Sequence, residues 1–218
     1  MSDPASRRPS VPPISGRVAI VRHLPILETD AALAEALRSG HPQAPAVLVD
    51  RYGEHLRCVL VRVLGKDPEL NDLLHDVLVT AIQAVGRLED GAALRGWLTS
   101  VAVFTAKAAI RKRARRRLFW LTAPEEIDRN EAPSKNDDTS EALRATYAVL
   151  DGLPADERIA FALRFIDGME LVDAAQACRV SLSTFKRRVG RAHKKFVERA
   201  RRVPALAEWV EGAEAWRR

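Results

Sequence analysis

Aromatic residues and cysteines are scarce in this chain of 218 residues. Phe, Trp and Tyr make up 6% of it, and there are two cysteines, Cys58 and Cys178. β-Sandwiches and barrels are rich in aromatic and β-branched residues, so the low aromatic content favours helices. The two cysteines lie 120 positions apart in apolar helical patterns, which indicates free thiols in a reducing compartment rather than a disulfide framework.

Long apolar runs are also missing. No uninterrupted apolar stretch reaches the roughly 18 residues that a membrane span needs. Prolines and arginines interrupt the first 28 residues, where a signal peptide would have its apolar core. We therefore expect a cytoplasmic protein without membrane insertion.

Motifs of catalysis and of nucleotide or metal binding are absent from the sequence. It contains no P-loop, no G-x-S-x-G and no H-E-x-x-H motif. Asp72-x-x-His75 has the spacing of half a di-metal site, but no second acid-x-x-His accompanies it. The sequence predicts a protein that is not an enzyme and that has no cofactor or metal.

What the chain does have is positive charge in two blocks. Lys and Arg number 35 against 29 Asp and Glu, a net charge of +6. Seven basic residues and no acid lie between Lys107 and Arg117, and ten basic residues face one acid between Arg179 and Arg202. Residues 118–141 carry a net charge of −5. Either basic block alone fits a solvated helix surface as well as it fits an interaction surface. Together, the two basic blocks and the acidic stretch between them indicate two domains, an acidic linker and a polyanionic partner.

Apolar residues recur at helical spacing along most of the chain, and no segment alternates as a strand would. The clearest stripe runs from Leu70 to Val85. We therefore predict an all-α fold of two small helical domains joined by a flexible acidic linker. Its parts are a flexible N-terminal arm at 1–28, a helical domain at 29–117, the linker at 118–139, a second helical domain at 140–200 and a C-terminal tail at 201–218.

Polar residues that can cap helices mark several helix starts. Thr29 or Asp30 precedes the first helix. Asp67, with Pro68 at the first helical position, precedes the long apolar stripe, and Ser140 precedes the second domain. Each cap is expected to accept a hydrogen bond from an amide of the first turn.

Two short helices in the second domain have the arrangement of a helix-turn-helix motif. The first ends near Cys178, and after a short turn the second carries an i, i+4 apolar stripe that starts at Phe185. Arg and Lys side chains read guanine edges or bind phosphates, and hydroxyl groups at a helix start bind phosphate oxygens. The residues of the second helix predicted to contact DNA are Ser183, Thr184, Lys186, Arg187, Arg188, Arg191 and Lys194. In the first basic block the predicted DNA contacts are Lys107, Arg111, Lys112 and Arg115.

Two acids share one face of the helix that carries the long stripe. Asp72 and Asp76 lie four residues apart, with His75 beside them, on the side turned away from the leucines. This face is either an ordinary solvated surface or an acidic site for a basic helix of a partner.

Five short segments carry motifs of a known family. They are DLLHDV at 72–77, GWLTSVA at 96–102, GLPADER at 152–158, FIDGM at 165–169 and VSLSTFKRRVGRA at 180–192. The first two resemble region two of the bacterial sigma-70 family, and the last three resemble region four. The chain has these two regions and a short linker, which is the layout of the extracytoplasmic-function (ECF) subgroup.

The resemblance implies a transcription initiation factor. In the family, region two docks on core RNA polymerase and opens the minus-ten promoter element, and region four binds the minus-thirty-five element. An anti-sigma factor is a further partner that the resemblance implies. The residues implied in polymerase binding are Asp72, Leu73, His75, Asp76 and Val77. The alternative is a helix-turn-helix regulator that binds DNA without docking on core polymerase.

The sequence departs from the family pattern at a few positions. His75 stands where the family usually has Gln, and Phe104 and Ala108 stand where members often carry polar residues. Arg179 and Ser183 replace frequent glycines. At Arg179 the usual glycine reflects a turn that favours positive φ. These departures leave the basic faces and the apolar stripes in place.

Overall fold

A computed structural model of the chain describes residues 27–121 and 138–207. The regular elements in these residues are all helical, which confirms the predicted all-α fold. Parts of the predicted N-terminal arm (1–28), linker (118–139) and C-terminal tail (201–218) lie outside the described residues, namely residues 1–26, 122–137 and 208–218.

Eight α-helices follow one another in the described ranges. They are α1 (Asp30–Arg38), α2 (Ala44–Leu64), α3 (Leu70–Ala84), α4 (Leu94–Leu121), α5 (Asp138–Asp151), α6 (Ala155–Phe161), α7 (Leu171–Ala177) and α8 (Leu182–Ala200). Two short 3-10 turns, Val85–Arg87 and Gly91–Ala93, connect α3 to α4, and a π-helical turn, Ala162–Ile166, continues α6.

The first four helices form a bundle around a leucine-rich core. α2, α3 and α4 pack on one another, and Leu48, Leu56, Leu60 and Leu98 are fully buried. The leucines of α2 recur at the helical period, so the burial of one stripe per helix accounts for the packing.

Several helix ends in this bundle lie where the sequence signals predict them. Oγ1 of Thr29 accepts a hydrogen bond from the amide of Ala32 at 3.2 Å, so Thr29 caps α1 as predicted. Pro45 lies in the first turn of α2, where its missing amide hydrogen costs nothing. α2 ends at Leu64 and is followed by Gly65, whose φ of 80° is open to glycine and strained for other residues.

The predicted start of α3 was wrong. The helix begins at Leu70, three residues after the expected cap at Asp67. The carboxylate of Asp67 instead accepts the amide hydrogen of Glu69 at 2.9 Å and forms an ion pair with Arg113 of α4. A contact with a distant helix therefore competes with the local capping preference.

The last four helices form the second half of the fold. Ile159, Leu163 and Phe185 are almost completely buried there, and α8 packs on α6 and α7. α5 begins at Asp138 rather than after Ser140, so the prediction of Ser140 as a cap was wrong.

The turn between α7 and α8 has the backbone that the sequence predicts. Arg179 has a φ of 50°, the left-handed conformation that glycine adopts most readily. Ser181 then caps α8, because its Oγ accepts the amide hydrogen of Thr184 at 3.3 Å. The two helices and their turn form the predicted helix-turn-helix.

The two halves pack against each other through apolar side chains. Leu163, Ala174 and Phe185 of the second half belong to the same buried cluster as Leu60 and Val103 of the first. α4 contacts α6 and α7, and α2 contacts the π-helical turn. The fold therefore brings the two basic blocks of the sequence close together.

Candidate nucleic-acid and partner interfaces

α8 presents a basic face to solvent. Its apolar side packs inward, with Phe185 fully buried and Val189, one turn later, half-buried. The exposed cations of the opposite face are Lys186, Arg187, Arg191 and Lys194. Because these charges lie on one side of a helix, the face suits the phosphates and base edges of a DNA major groove.

Hydroxyl groups cluster at the start of α8. Oγ of Ser181 lies 3.1 Å from Oγ of Ser183 and 2.9 Å from Oγ1 of Thr184. Ser183 is exposed and Thr184 is half-buried. Together with the amides of the first turn, these hydroxyls offer hydrogen-bond donors to a phosphate oxygen.

Arg188 differs from the other predicted DNA contacts of α8. It is half-buried, and its Nη1 lies 3.2 Å from Oδ1 of Asp156 in the first turn of α6. Arg191 lies near the same turn, with its Nε 3.8 Å from Oε1 of Glu157. In this arrangement the guanidinium of Arg188 forms an ion pair within the chain, whereas the side chains of Lys186 and Arg187 are exposed to solvent.

The first basic block reaches the same acid from α4. Nζ of Lys107 lies 2.6 Å from Oδ1 of Asp156, and Nη2 of Arg111 lies 3.3 Å from Oδ2. Lys112 and Arg115, the other predicted DNA contacts of α4, are exposed. The structure therefore brings cations of both basic blocks together around a single carboxylate, which the sequence pattern did not predict.

The carboxylate of Asp156 is ionised in this setting. Burial disfavours its charge, but a hydrogen bond from Lys107 and the positive charges of Arg188 and Arg111 more than offset that effect. The pKa of Asp156 is consequently lower than its ordinary value of 3.8.

An open groove lies beside these cations on α4. It has a volume of about 310 Å³ and is lined by Phe104, Lys107, Ala108, Arg111 and Arg115. Phe104 is 40% exposed, although it is a large apolar residue. An exposed aromatic ring beside several cations suits an unpaired nucleotide, whose base stacks on the ring while its phosphate meets the cations.

α3 presents the predicted acidic face. Asp72, His75 and Asp76 are exposed, whereas Leu73 is half-buried and Val77 is fully buried in the bundle. Neither aspartate forms an ion pair with another residue in the described ranges. Both carboxylates are therefore available to the cations of a partner, on a helix fixed by the apolar residues beneath it.

The two cysteines are free thiols. Burial raises the pKa of Cys178 to about 11, and a hydrogen bond to Glu54 raises the pKa of Cys58. Because the thiolate is the reactive form of cysteine, both side chains are poor nucleophiles at neutral pH.

The sequence pattern did not predict which residues join the two halves. Tyr147 and the buried Arg158 donate hydrogen bonds to the end of α2. The acceptors, at 2.9–3.2 Å, are the carbonyl oxygens of Val61 and Arg62 for Tyr147 and of Val63 and Leu64 for Arg158. Asp156 and Glu157 gave no sign of a special role, because acids are common in the first turn of any helix.

Two absences hold for the described ranges. No helix within them is both long and apolar enough to cross a membrane. They contain no group of three or more His, Cys, Asp or Glu side chains that could hold a metal ion.

The fold and its surfaces define a class of protein. It is an all-helical DNA-binding protein with a helix-turn-helix and a separate acidic helix that is suited to a protein partner. Comparison with protein families gives the same result for each half: residues 48–116 match Sigma-70 region 2, and residues 143–196 match Sigma-70, region 4. The chain belongs to the sigma-70 family, in its ECF subgroup, and is a transcription initiation factor that acts with RNA polymerase.

Similar proteins cover both halves of the chain. The ECF RNA polymerase sigma-E factor of Haemophilus influenzae is 25% identical over 173 residues, which are 75% of this chain and 91% of that protein. The RNA polymerase sigma-H factor of Pseudomonas aeruginosa is 26% identical over 174 residues, 76% of this chain and 90% of that protein. These relatives do not favour the alternative of a regulator that binds DNA without RNA polymerase.

A solved structure shows the same fold. CnrH, in complex with the cytosolic domain of CnrY, aligns with a TM-score of 0.51 and 23% identity, covering 77% of this chain and 94% of CnrH. The roles of individual DNA- and polymerase-contacting residues stay predictions.

Proposed function

We propose that this sigma factor docks on core RNA polymerase through the acidic face of α3 and directs it to promoters that α4 and α8 read. The observation that carries the proposal is the opposite charge of the two kinds of surface. α3 offers exposed carboxylates, and α8 offers exposed cations. The factor is not an enzyme in this proposal, because it binds and positions while the polymerase performs the synthesis. Its place of action is the cytoplasm.

The polymerase contact lies on α3. Asp72 and Asp76 point to the same side, with His75 beside them, and would meet a basic helix of core polymerase. Leu73 and Val77 support the contact from below, because they hold α3 on the bundle.

The minus-thirty-five contact lies on α8. Arg187 is the base reader in this proposal, since it is exposed in the second turn of a helix whose N-terminal part enters the major groove. Phosphate oxygens of the DNA backbone would be held by Ser183, Thr184, Lys186, Arg188, Arg191 and Lys194. Arg188 becomes available for this role only after it leaves Asp156.

The minus-ten contact lies on α4. Its cations Lys107, Arg111, Lys112 and Arg115 would hold the phosphate backbone, and Phe104 in the adjoining groove would stack on an unpaired base. An aromatic residue replaces the polar residue that other members often have, so this member would rely more on stacking than on hydrogen bonds there.

An anti-sigma factor is the remaining partner in the proposal. CnrH, which has the same fold, was solved with the cytosolic domain of CnrY. A protein that covers the acidic face of α3 would block polymerase docking directly.

The experiment measures promoter affinity of the holoenzyme, using genomic fragments that the wild-type holoenzyme selects. Arg187→Ala should cost about 1–3 kcal/mol and relax specificity at one base pair. Lys186→Ala should weaken binding to all templates and reduce the salt dependence by about one phosphate contact.

Lys66→Ala serves as the control, because Lys66 is an exposed cation between α2 and α3. It should leave both promoter affinity and specificity unchanged. If Arg187→Ala and Lys186→Ala bind every template as the wild type does, α8 does not read DNA and the proposal fails.

A further inference from the structure

We propose that Arg113 is a positioning residue for polymerase docking: from α4 it fixes the first turn of α3, and with it Asp72, and it does not bind promoter DNA. This role rests on the docking through α3 proposed above. Arg113 thereby differs from the other cations of the first basic block, although the charge pattern of the sequence treats them alike.

Arg113 projects from a different side of α4 than the cations of the groove. An α-helix has about 3.6 residues per turn, so residues two positions apart project about 200° apart. Arg113 lies two positions from both Arg111 and Arg115, which line the groove. Arg113 is half-buried, whereas Arg111 and Arg115 are exposed. Its side chain therefore faces the bundle rather than the proposed DNA surface.

The guanidinium of Arg113 binds both acids of the segment between α2 and α3. Nη1 and Nη2 donate to the two carboxylate oxygens of Asp67, Nη2 at 2.9 Å, and Nη2 also donates to Oε2 of Glu69 at 2.7 Å. The Asp67 side chain is only 3% exposed. The hydrogen bond from Arg113 and its charge lower the pKa of Glu69, so both acids are held as carboxylates. A bidentate pair fixes orientation as well as distance, and Asp67 is thus held in one orientation relative to α4.

The same segment supports the start of α3. The Asp67 carboxylate accepts the amide hydrogen of Glu69 at 2.9 Å, and the Asp67 carbonyl oxygen accepts that of Leu70 at 3.2 Å. The carbonyl oxygen of Glu69 accepts the amide hydrogen of Leu73 at 2.9 Å. The side chain of Glu69 does not cap the helix. The first turn of α3 therefore depends on a segment whose acids Arg113 holds in place.

The two docking acids differ in how firmly α3 holds them. Asp72 lies in the first turn, between Leu70 and Leu73, which are only half-buried. Asp76 lies one turn later, beside the fully buried Val77. Loss of Arg113 should therefore displace Asp72 and leave Asp76 in place.

The first test measures hydrogen exchange of single amides by nuclear magnetic resonance in the free full chain. Arg113→Met should speed exchange at Glu69, Leu70 and Leu73 about ten-fold or more, because local opening of the first turn becomes easier. The amide of Leu60 in α2 should exchange as in the wild type. Arg116→Met is the matched control, because it makes the same change at an exposed cation of α4. It should leave all four amides unchanged.

Unchanged exchange at the three amides in Arg113→Met would show that Arg113 does not fix the first turn, and the inference is then wrong. Because this measurement contains no polymerase, a failed docking proposal leaves its result readable.

The second test titrates the same variants with core polymerase. If the docking-competent first turn is populated in about a tenth of the Arg113→Met molecules, the apparent Kd rises about ten-fold. Asp72→Ala should weaken binding less in the Arg113→Met background than in the wild type, whereas Asp76→Ala should have the same effect in both. A general loss of stability would affect the two acids alike. Equal effects of Asp72→Ala in both backgrounds overturn the positioning role.

A further variant separates positioning from the buried charge that Arg113→Met leaves on Asp67. Asp67→Asn/Arg113→Met removes that charge and keeps a side-chain oxygen for the amide of Glu69. It should be more stable to urea than Arg113→Met and should still bind core polymerase weakly. Recovery of wild-type affinity would mean that the stranded charge, and not the lost contact, weakened docking, and would overturn the inference.

Promoter affinity at saturating core polymerase tests the other half of the proposal. The Arg113→Met holoenzyme should match the wild type in affinity and in salt dependence. A salt dependence shallower by about one phosphate contact would show that Arg113 binds DNA, which contradicts its assignment to α3.

Discussion

Replacing Arg158 by methionine tests how strongly the second half holds the end of α2. The Arg158 side chain is 6% exposed. Its Nε donates to the carbonyl oxygen of Val63 at 3.2 Å, its Nη2 donates to that of Leu64 at 3.1 Å, and it forms an ion pair with Asp151. Methionine keeps most of the volume and removes every one of these interactions.

The magnitude follows from what is left behind. Two carbonyl groups at the end of α2 lose their donors in a buried setting, which costs about 1–3 kcal/mol each. The carboxylate of Asp151 is 39% exposed and can be rehydrated, so the larger penalty for a stranded buried charge does not apply in full. The methionine variant also buries no guanidinium, so it avoids the desolvation penalty of that group. This offsets part of the loss in stability. We expect a net loss of about 3 kcal/mol.

Urea unfolding measures this loss. With an m-value of about 2 kcal/mol/M, a 3 kcal/mol loss lowers the midpoint by about 1.5 M. Arg158→Lys keeps a positive charge but loses the forked donors of the guanidinium. Its urea midpoint should lie between those of the wild type and Arg158→Met. Arg187→Met removes an exposed guanidinium and should stay within about 0.5 kcal/mol of the wild type. If Arg158→Met is as stable as Arg187→Met, Arg158 does not join the halves and the described interface is wrong.

Two further predictions concern the tyrosines and a close backbone approach. Burial and a hydrogen bond to Asp30 raise the pKa of Tyr52 to about 12, and burial raises the pKa of Tyr147 above its ordinary value of 10.0. Absorbance titration of the folded chain should therefore show that each of its two tyrosines is less than half ionised at pH 10. The stability from these neutral phenols is complete below pH 10 and is lost as the pH rises above it, and a phenolate midpoint at 10 would contradict their burial. In thermal unfolding, Gly65→Ala should destabilise the chain by more than Gly40→Ala. Both glycines have positive φ, so both variants carry backbone strain. A Cβ at Gly65 would in addition lie 2.8 Å from the ring of Tyr147, whereas nothing lies within 4 Å of a Cβ at Gly40. Equal losses for the two alanine variants would mean that Tyr147 does not pack on Gly65.

Features that depend on neighbours in the chain could be predicted from the sequence. The cap at Thr29 and the apolar side of α8 beginning at Phe185 follow from local hydrogen bonds and the helical period. The exposure of Asp72 and Asp76 follows in the same way, because the leucine stripe fixes which side of α3 faces the bundle. The positive φ of Arg179 was implied by the family resemblance, because the family commonly has glycine at that turn position.

Features that depend on distant charges could not be predicted. Asp67 has every property of a helix cap, but Arg113, 46 residues later, draws it into an ion pair. Asp156 likewise pairs with Lys107 and Arg188, and a sequence of many charges does not indicate which of them meet. Periodicity identifies the faces of each helix, whereas the packing of one half on the other decides which charges are left for a partner.

The central claim, that this chain acts through core RNA polymerase by the acidic face of α3, is tested by one binding measurement. Fluorescently labelled wild type and the double variant Asp72→Lys/Asp76→Lys are titrated with core polymerase at fixed salt. Opposed like charges at an interface cost roughly 2–5 kcal/mol, so we expect at least about 30-fold weaker binding. The control is Asp50→Lys/Glu89→Lys, which makes the same change in net charge at two other exposed acids and should bind as the wild type does. Equal affinity of a folded Asp72→Lys/Asp76→Lys variant and the wild type would contradict the claim.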